Sequence, residues 1–287
     1  MNTKGLLYLF SIVILCLTGC RTPTTPAVSA SATAAPTSSS PAIATPVAST
    51  PTTAAPAGKD ATISLTWYGQ STFVLTTNTG LKALLDPTGP GTGYKIPTLD
   101  GIDLVTISHE HSDHNAINLA SGNPLVLRGL AGNDWAKIDQ TVKGVRVRTV
   151  GVYHDDAQGS KRGKNSIFIF DVDGLRVAHL GDLGHPLSPE QIKDVGAVDV
   201  ILIPVGGYYT IDAKTAVEVV SQLNPTVVVP MHYKTSDLSA SLANVLAPVD
   251  DFVKAIGNTA TVSEVGQTVT IERKLPAART VMVIKYK

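Results

Sequence analysis

Residues Ser108 to Asn115 read SHEHSDHN, so three of the chain's seven histidines and two acids fall within eight consecutive positions. His109 and His111 are two apart, which points both side chains the same way on a strand or its extension. Asp113 and His114 follow where the chain turns. Imidazole and carboxylate donors gathered at the end of a buried strand form a nest suited to a transition metal. The two cysteines, Cys16 and Cys20, both lie near the N-terminus. The rest of the chain therefore has neither a disulfide nor a thiolate ligand, and any metal centre in it must be built from nitrogen and oxygen donors.

Further residues of the same chemistry follow apolar runs: His154 in VYHDD, Asp182 in LGD and His232 in VPMHY, with Asp86 earlier in LLDP. At this point the sequence resembles the metallo-β-lactamase superfamily. HEHSDH fits its His-x-His-x-Asp-His pattern, and the other motifs come in family order from about Trp67 to Tyr233. GDLGH, IPVGGYYTID and PMHYKT resemble the lactonase-like and largely uncharacterised metal-dependent hydrolases of that superfamily. The resemblance implies a four-layer αββα sandwich and two divalent ions. Zinc is the default ion, with manganese or iron also compatible with these donors. By the same resemblance His109, His111 and His154 hold the first ion, Asp113, His114 and His232 hold the second, and Asp182 bridges them. Asp86 supports the metal loop. A hydroxide between the ions would serve as nucleophile, oriented by Asp113. The charges of two dications, two carboxylates and one hydroxide sum to about +1, which favours developing negative charge in a transition state. Gln70 departs from the pattern, because relatives commonly have a histidine there.

Two histidines remain. His179 alternates along LRVAHLGD and is expected to be an inner-strand residue with its own hydrogen bond. His185, three residues beyond Asp182, is either a proton shuttle and substrate contact or a structural loop residue. Tyr208, Tyr209 and Lys234 are candidates for the substrate pocket. Arg162 and Lys164, on a loop after His154, either bind an anion or are solvated. Glu110 lies between the clustered histidines and is expected to point away. Trp67 at a strand end reads as core, although it and Tyr68 could also line a pocket.

The elements that must position these groups are legible as patterns. TISLTWYG, STFVLTT, LKALLDP, DLVTISH, VRVRTVGVYH, SIFIFDVD, LRVAHLGD, VDVILIPVGG and TVVVPMHY are short β-branched or apolar runs bounded by turn residues. HNAINLA reads as a short helix. PEQIKDVG reads as another, with Ser188 as N-cap and Pro189 at its first position. DAKTAVEVVSQLN is an amphipathic helix, residues 238–256 look helical, and two or three strands close the chain. Strands followed by strand–helix alternation predict one α/β (α+β) layered domain over residues 60–287.

What precedes that domain is different in kind. Lys4, the apolar run GLLYLFSIVILCL and then LTGC resemble a bacterial lipoprotein signal over residues 1–19. The run is shorter than the ~20 residues that span a bilayer, and Cys20 stands where the acyl anchor would go. Residues 22–58 carry no charge, and Pro36, Pro41, Pro46, Pro51 and Pro56 recur every five positions. Such a segment buries too little apolar surface to offset its ordering entropy, so residues 20–59 are expected to form a disordered tether. Net charge is zero with a pI near 7.1, which gives no basic footprint for nucleic acid. The function expected is a membrane-tethered, extracytoplasmic hydrolase acting on a small molecule with a carbonyl or phosphoryl centre. The alternative is a metal-binding surface lipoprotein that binds without turnover.

Overall fold

The computed structural model describes residues 62–287. The proposed signal, Cys20 and the tether lie outside the described residues. Two mixed sheets carry the fold. The first runs in the order Thr268–Glu272, Thr62–Trp67, Phe73–Thr77, Lys82–Leu85, Leu104–Ile107, Leu125–Arg128. Its first four strands are antiparallel and its last three parallel, sharing Lys82–Leu85. The second runs Thr261–Val265, Thr280–Ile284, Val227–Met231, Val200–Pro204, Leu175–His179, Lys164–Val172, Val145–Tyr153, Asp139–Val142. It is parallel through Leu175–His179 and antiparallel beyond.

Alternation decides what each sheet face meets. In Phe73–Thr77, Phe73 and Leu75 join the large core between the sheets, while Val74 joins a smaller cluster with Leu84, Val105 and Ile107 on the other face. Val200–Pro204 and Val227–Met231 are buried at every position, as strands covered on both faces must be. Helices Pro189–Val195, Ala213–Leu223 and Val249–Ile256 supply Val195, Ala216, Val219, Val220, Phe252 and Ile256 to the same core. Ser188 caps the first of these in a reciprocal capping box with Gln191, with Pro189 next. Asp212 caps the second, and Asn224 ends it in the left-handed conformation.

Three local expectations are corrected. HNAINLA forms only a 3₁₀ turn, Ile117–Leu119, because the loop is tied back through Ala116 N–H to Pro87 O before a helix can propagate. Lys164 is not in a loop but opens strand Lys164–Val172. Strands Leu125–Arg128 and Asp139–Val142 were not anticipated. Both are sheet edges with exposed, partly polar sequences, which lack the alternation that marks a half-buried strand.

Trp67 is core. Its ring packs with those of Phe73, Tyr94, Tyr233 and Tyr286 at 5.3–6.5 Å. Tyr68 is packed partly buried on the smaller cluster. Burial of Tyr94 in the aromatic group pushes its hydroxyl pKa up to about 12, opposed in part by its bond with Thr235. The raised pKa means the folded state holds the proton that the unfolded chain releases near pH ~10. Stability is therefore full below pH ~10 and falls as pH climbs toward 12, by on the order of 2–3 kcal/mol from this residue. Urea unfolding at pH 9 and pH 11 should show about half of that loss, since pH 11 lies midway between the two pKa values, and Tyr94→Phe should make it smaller. An equal loss in wild type and variant would contradict the assignment.

Candidate metal centre

The donors gather on loops at the C-terminal ends of strands, where open α/β sheets present their sites. Strand Leu104–Ile107 feeds His109, Val145–Tyr153 feeds His154, Leu175–His179 feeds Asp182, and Val227–Met231 feeds His232. Two groups result. The donor atoms of His109, His111 and His154 lie within 4.8 Å of one another, and so do those of Asp113, His114, Asp182 and His232. In the first group the three rings pack pairwise at 4.6–5.0 Å between centroids. His109 Nε2 is 3.1 Å from His111 Nδ1.

Asp182 lies between the groups. Its Oδ2 is 3.9 Å from His109 Nε2 and 3.3 Å from His154 Nε2, and it is also 3.2 Å from His114 Nε2 and 3.4 Å from His232 Nε2. Tetrahedral ligands at ~2.0–2.1 Å from one ion would stand roughly 3.3 Å apart, so these spacings suit donors that share cations. The hydrogen-bond inventory agrees. His114 Nε2 and Asp182 Oδ1 are buried with no hydrogen-bond partner. An ion between them would satisfy both.

A relay of hydrogen bonds fixes the ring nitrogens. Asp86 is fully buried, with its carboxylate accepting Ser108 N–H at 2.8 Å, the Ser108 hydroxyl at 2.5 Å and His114 Nδ1–H at 2.9 Å. With the Ser108 proton committed to Asp86, its oxygen accepts from His109 Nδ1 at 2.9 Å, leaving His109 Nε2 with a free lone pair. Asp86 thus braces two of the clustered histidines. Ser108 belongs to the machinery and was not singled out from sequence. So does Asn165, whose Oδ1 accepts Asp182 N–H and whose Nδ2 donates to Leu180 O.

Electrostatics inside the cluster are sharply divided. Burial disfavours the charged form of His114, but Asp182 and Asp113 outweigh it and hold its pKa well above the ordinary imidazole value. Burial would raise Asp182 and Asp113, yet His114 and its neighbours keep both carboxyls well ionised. His109, His111 and His232 are pushed down, chiefly by burial, which favours their neutral form.

Backbone strain collects here as well. Gln70, Asp86 and His232 take left-handed φ of 50°, 42° and 52°, unusual for non-glycine residues and a recurrent mark of functional sites. Gln70 is fully buried with Nε2 at 2.7 Å from His232 Nε2 and 3.3 Å from Asp113 Oδ2, so it faces two of the four second-group donors. Glycine is required at two positions. A Cβ on Gly181 would come within 2.4 Å of Asn165 Oδ1, and one on Gly184 within 2.3 Å of the His154 backbone.

The other candidates divide. His179 is core, with Nε2 on Ser71 O at 2.9 Å and Nδ1 accepting Gly181 N–H. Glu110 points away and pairs with Arg128 at 2.6 Å. His185 departs from a catalytic role: its Nε2 accepts Tyr153 N–H and its Nδ1 bonds Pro186 O, so both nitrogens are committed to backbone outside the cavity wall. Lys234 is also corrected. It is exposed and absent from that wall, because the chain turns after His232 and pairs with Ala247. Lys164 is bound to Asp134 at 2.9 Å and lies over the Trp135 ring. A cavity of about 520 Å³ opens over the donors, its wall including Asp113, Asp182, His232, Arg162 and Tyr209. Tyr208 lines a neighbouring cavity instead.

Comparison with known proteins agrees with this geometry. Residues 64–232 match a model described as a Beta-lactamase superfamily domain. A protein of Archaeoglobus fulgidus described as a metal-dependent hydrolase is 30% identical over 217 residues, covering 68% of this chain and 90% of the relative. A crystal structure from Thermotoga maritima, assigned as a zinc-dependent hydrolase of the metallo-beta-lactamase superfamily, aligns with a TM-score of 0.60 and 36% identity. That alignment covers 77% of this chain and 98% of the other. Igni18, a metallo hydrolase of Ignicoccus hospitalis, aligns with a TM-score of 0.54 and 26% identity, over 74% of this chain and 99% of that one.

Proposed function

The chain belongs to the metallo-beta-lactamase superfamily and is a metal-dependent hydrolase, and from that premise we propose that it holds two divalent ions, zinc by default. His109, His111 and His154 would hold one ion, Asp113, His114 and His232 the other, and Asp182 both. The observation that carries this reading is the single oxygen of Asp182 standing 3.2–3.9 Å from imidazole nitrogens of both groups. Bound divalent ions lower the pKa of water from ~15.7 toward ~7 and polarise carbonyl or phosphoryl oxygens. The chain's own residues do the rest. Asp86 and Ser108 hold His109 and His114 in their donating orientations. Asp113, partly exposed on the cavity wall, is the carboxylate available to orient the attacking water. No serine or cysteine nucleophile is required. The substrate class is a lactone, ester, amide or phosphodiester. The open cavity beside the donors favours turnover over the alternative of a binding-only lipoprotein, since a closed structural site needs no such access.

The reading extends to location. Residues 1–19 are proposed as a lipoprotein signal, Cys20 as the acylated residue, and residues 20–59 as a tether for the domain at 60–287. Mass spectrometry of the mature N-terminus should find a lipid-bearing Cys20, and Cys20→Ser should release the domain or leave it unprocessed. An unmodified N-terminus elsewhere would remove the anchor from the account. The function itself is tested by elemental analysis of the purified protein, followed by a panel of lactone, ester, amide and phosphodiester substrates. Turnover that chelation abolishes and zinc restores is expected. Two bound ions with no turnover on any class would favour the binding-only reading.

A further inference from the structure

The loop that follows His154 is built around a buried acid. Asp155 is 3% exposed, and its two carboxylate oxygens accept N–H groups from Ala157, Gly159, Lys161 and Arg162 at 2.7–3.0 Å. His154 N–H donates to Gly163 O, closing the loop onto the histidine itself. Arg162 is thereby fixed relative to the metal cluster through its own backbone. Its guanidinium lies over the Tyr209 ring, 5.5 Å from the centroid, and the residue as a whole is partly buried.

Among the described residues, Arg162 has no counter-ion. Arg128, Arg146 and Arg176 each pair with a carboxylate, and Arg148 and Arg279 bond carbonyl oxygens. Among the described residues no carboxylate lies within 4.0 Å of the Arg162 guanidinium. Neighbouring Lys161 is committed to Asp156 at 2.7 Å. Arg162 stands on the wall of the metal cavity and also on that of the adjoining cavity of about 550 Å³, which Tyr208 and Thr210 line. The acids of the two cavities are otherwise engaged: Asp113 and Asp182 with the histidines, Asp155 with backbone N–H groups, Asp156 with Lys161 and Asp212 with the Thr215 N–H.

A guanidinium on a cavity wall, with its five donors in a planar fork, is suited to bidentate contact with an oxyanion. Stacking on an aromatic face holds the fork without consuming those donors. We propose that Arg162, stacked on Tyr209, binds a non-reacting oxyanion of the substrate, carboxylate or phosphate, so that the enzyme acts on anionic substrates. The inference rests on the hydrolase reading given above. It names a specificity residue at the junction of two cavities, with the reacting bond toward the metal donors and the anionic group at Arg162.

The test uses the full-length, zinc-loaded protein and three aryl esters of equal acyl length, with a neutral, a carboxylate or a phosphate tail. The variants are Arg162→Gln and Arg162→Lys. Wild type should prefer at least one charged ester. Arg162→Gln should raise KM for that ester by roughly 10- to 100-fold, with kcat and the neutral ester little changed. Arg162→Lys should recover part of the loss. The carboxylate and phosphate arms identify which oxyanion the fork takes. A second readout is independent of turnover: calorimetric binding of glutarate and of glycerol phosphate should weaken in Arg162→Gln while zinc content and melting temperature hold. If no ester is hydrolysed yet anion binding still depends on Arg162, the subsite stands and the hydrolase reading falls. If esters are hydrolysed but neither the charge preference nor anion binding changes in Arg162→Gln, the proposal is overturned.

Discussion

Asp182→Ala is expected to yield a folded protein that retains neither ion after dialysis against buffer, because Asp182 Oδ2 stands within 3.9 Å of imidazole nitrogens of both donor groups. The loss of affinity should exceed the roughly 10- to 100-fold that removing an outer hydrogen-bond partner costs, since a direct donor is deleted. His154→Ala removes a member of the first group only and should leave about one ion per chain. His179→Ala should leave both, because that imidazole is spent on Ser71 and Gly181. Elemental analysis of the three variants separates these outcomes. Two ions retained in Asp182→Ala would contradict a shared carboxylate.

The second large effect is on stability. Asp86→Ala should destabilise the domain by about 3–5 kcal/mol, the magnitude seen when one partner of a buried charged pair is removed. The side chain is 0% exposed and accepts three hydrogen bonds, so its loss strands the Ser108 N–H and hydroxyl and the His114 Nδ1–H in a dry site. For a domain of this size that corresponds to a melting-temperature fall of roughly 10 °C. Asp86→Asn keeps the shape and one acceptor oxygen and should cost less. Glu110→Ala, which removes an exposed pair with Arg128, should change stability by less than about 1 kcal/mol. Denaturant unfolding of metal-free protein distinguishes the two positions, and near-equal midpoints would show that Asp86 is not a brace.

The donors were legible in sequence because His154 and His232 directly follow strands, and His109 and Asp182 come within three residues of a strand end. His109 after DLVTI and His232 after TVVVPM are the clearest instances. The relay from Asp86 through Ser108 to His109 was less visible. It depends on strands Lys82–Leu85 and Leu104–Ile107 being parallel neighbours in register, so that the residues just past their ends meet. Nothing in LLDP or TISH states that pairing. His185 misled by proximity. It lies three positions from Asp182, but Gly184 turns the chain against the His154 backbone and carries the imidazole onto Tyr153. Arg162 and Lys164 show the reverse. They are two apart and looked alike, yet strand pairing sends Lys164 to Asp134 while the Asp155 turn delivers Arg162 to the cavity. Gln70 was read only as a departure from relatives. Its contact with His232 and Asp113 follows from a left-handed turn that a sequence pattern does not reveal.

The central claim is that these residues hold two ions sharing Asp182. Diffraction from crystals of the zinc-replete protein, collected above and below the zinc absorption edge, tests it most directly. Two anomalous peaks per chain are expected, one among His109, His111 and His154 and one among Asp113, His114 and His232, both in contact with Asp182. A single peak, or peaks that leave Asp182 uncoordinated, would contradict it.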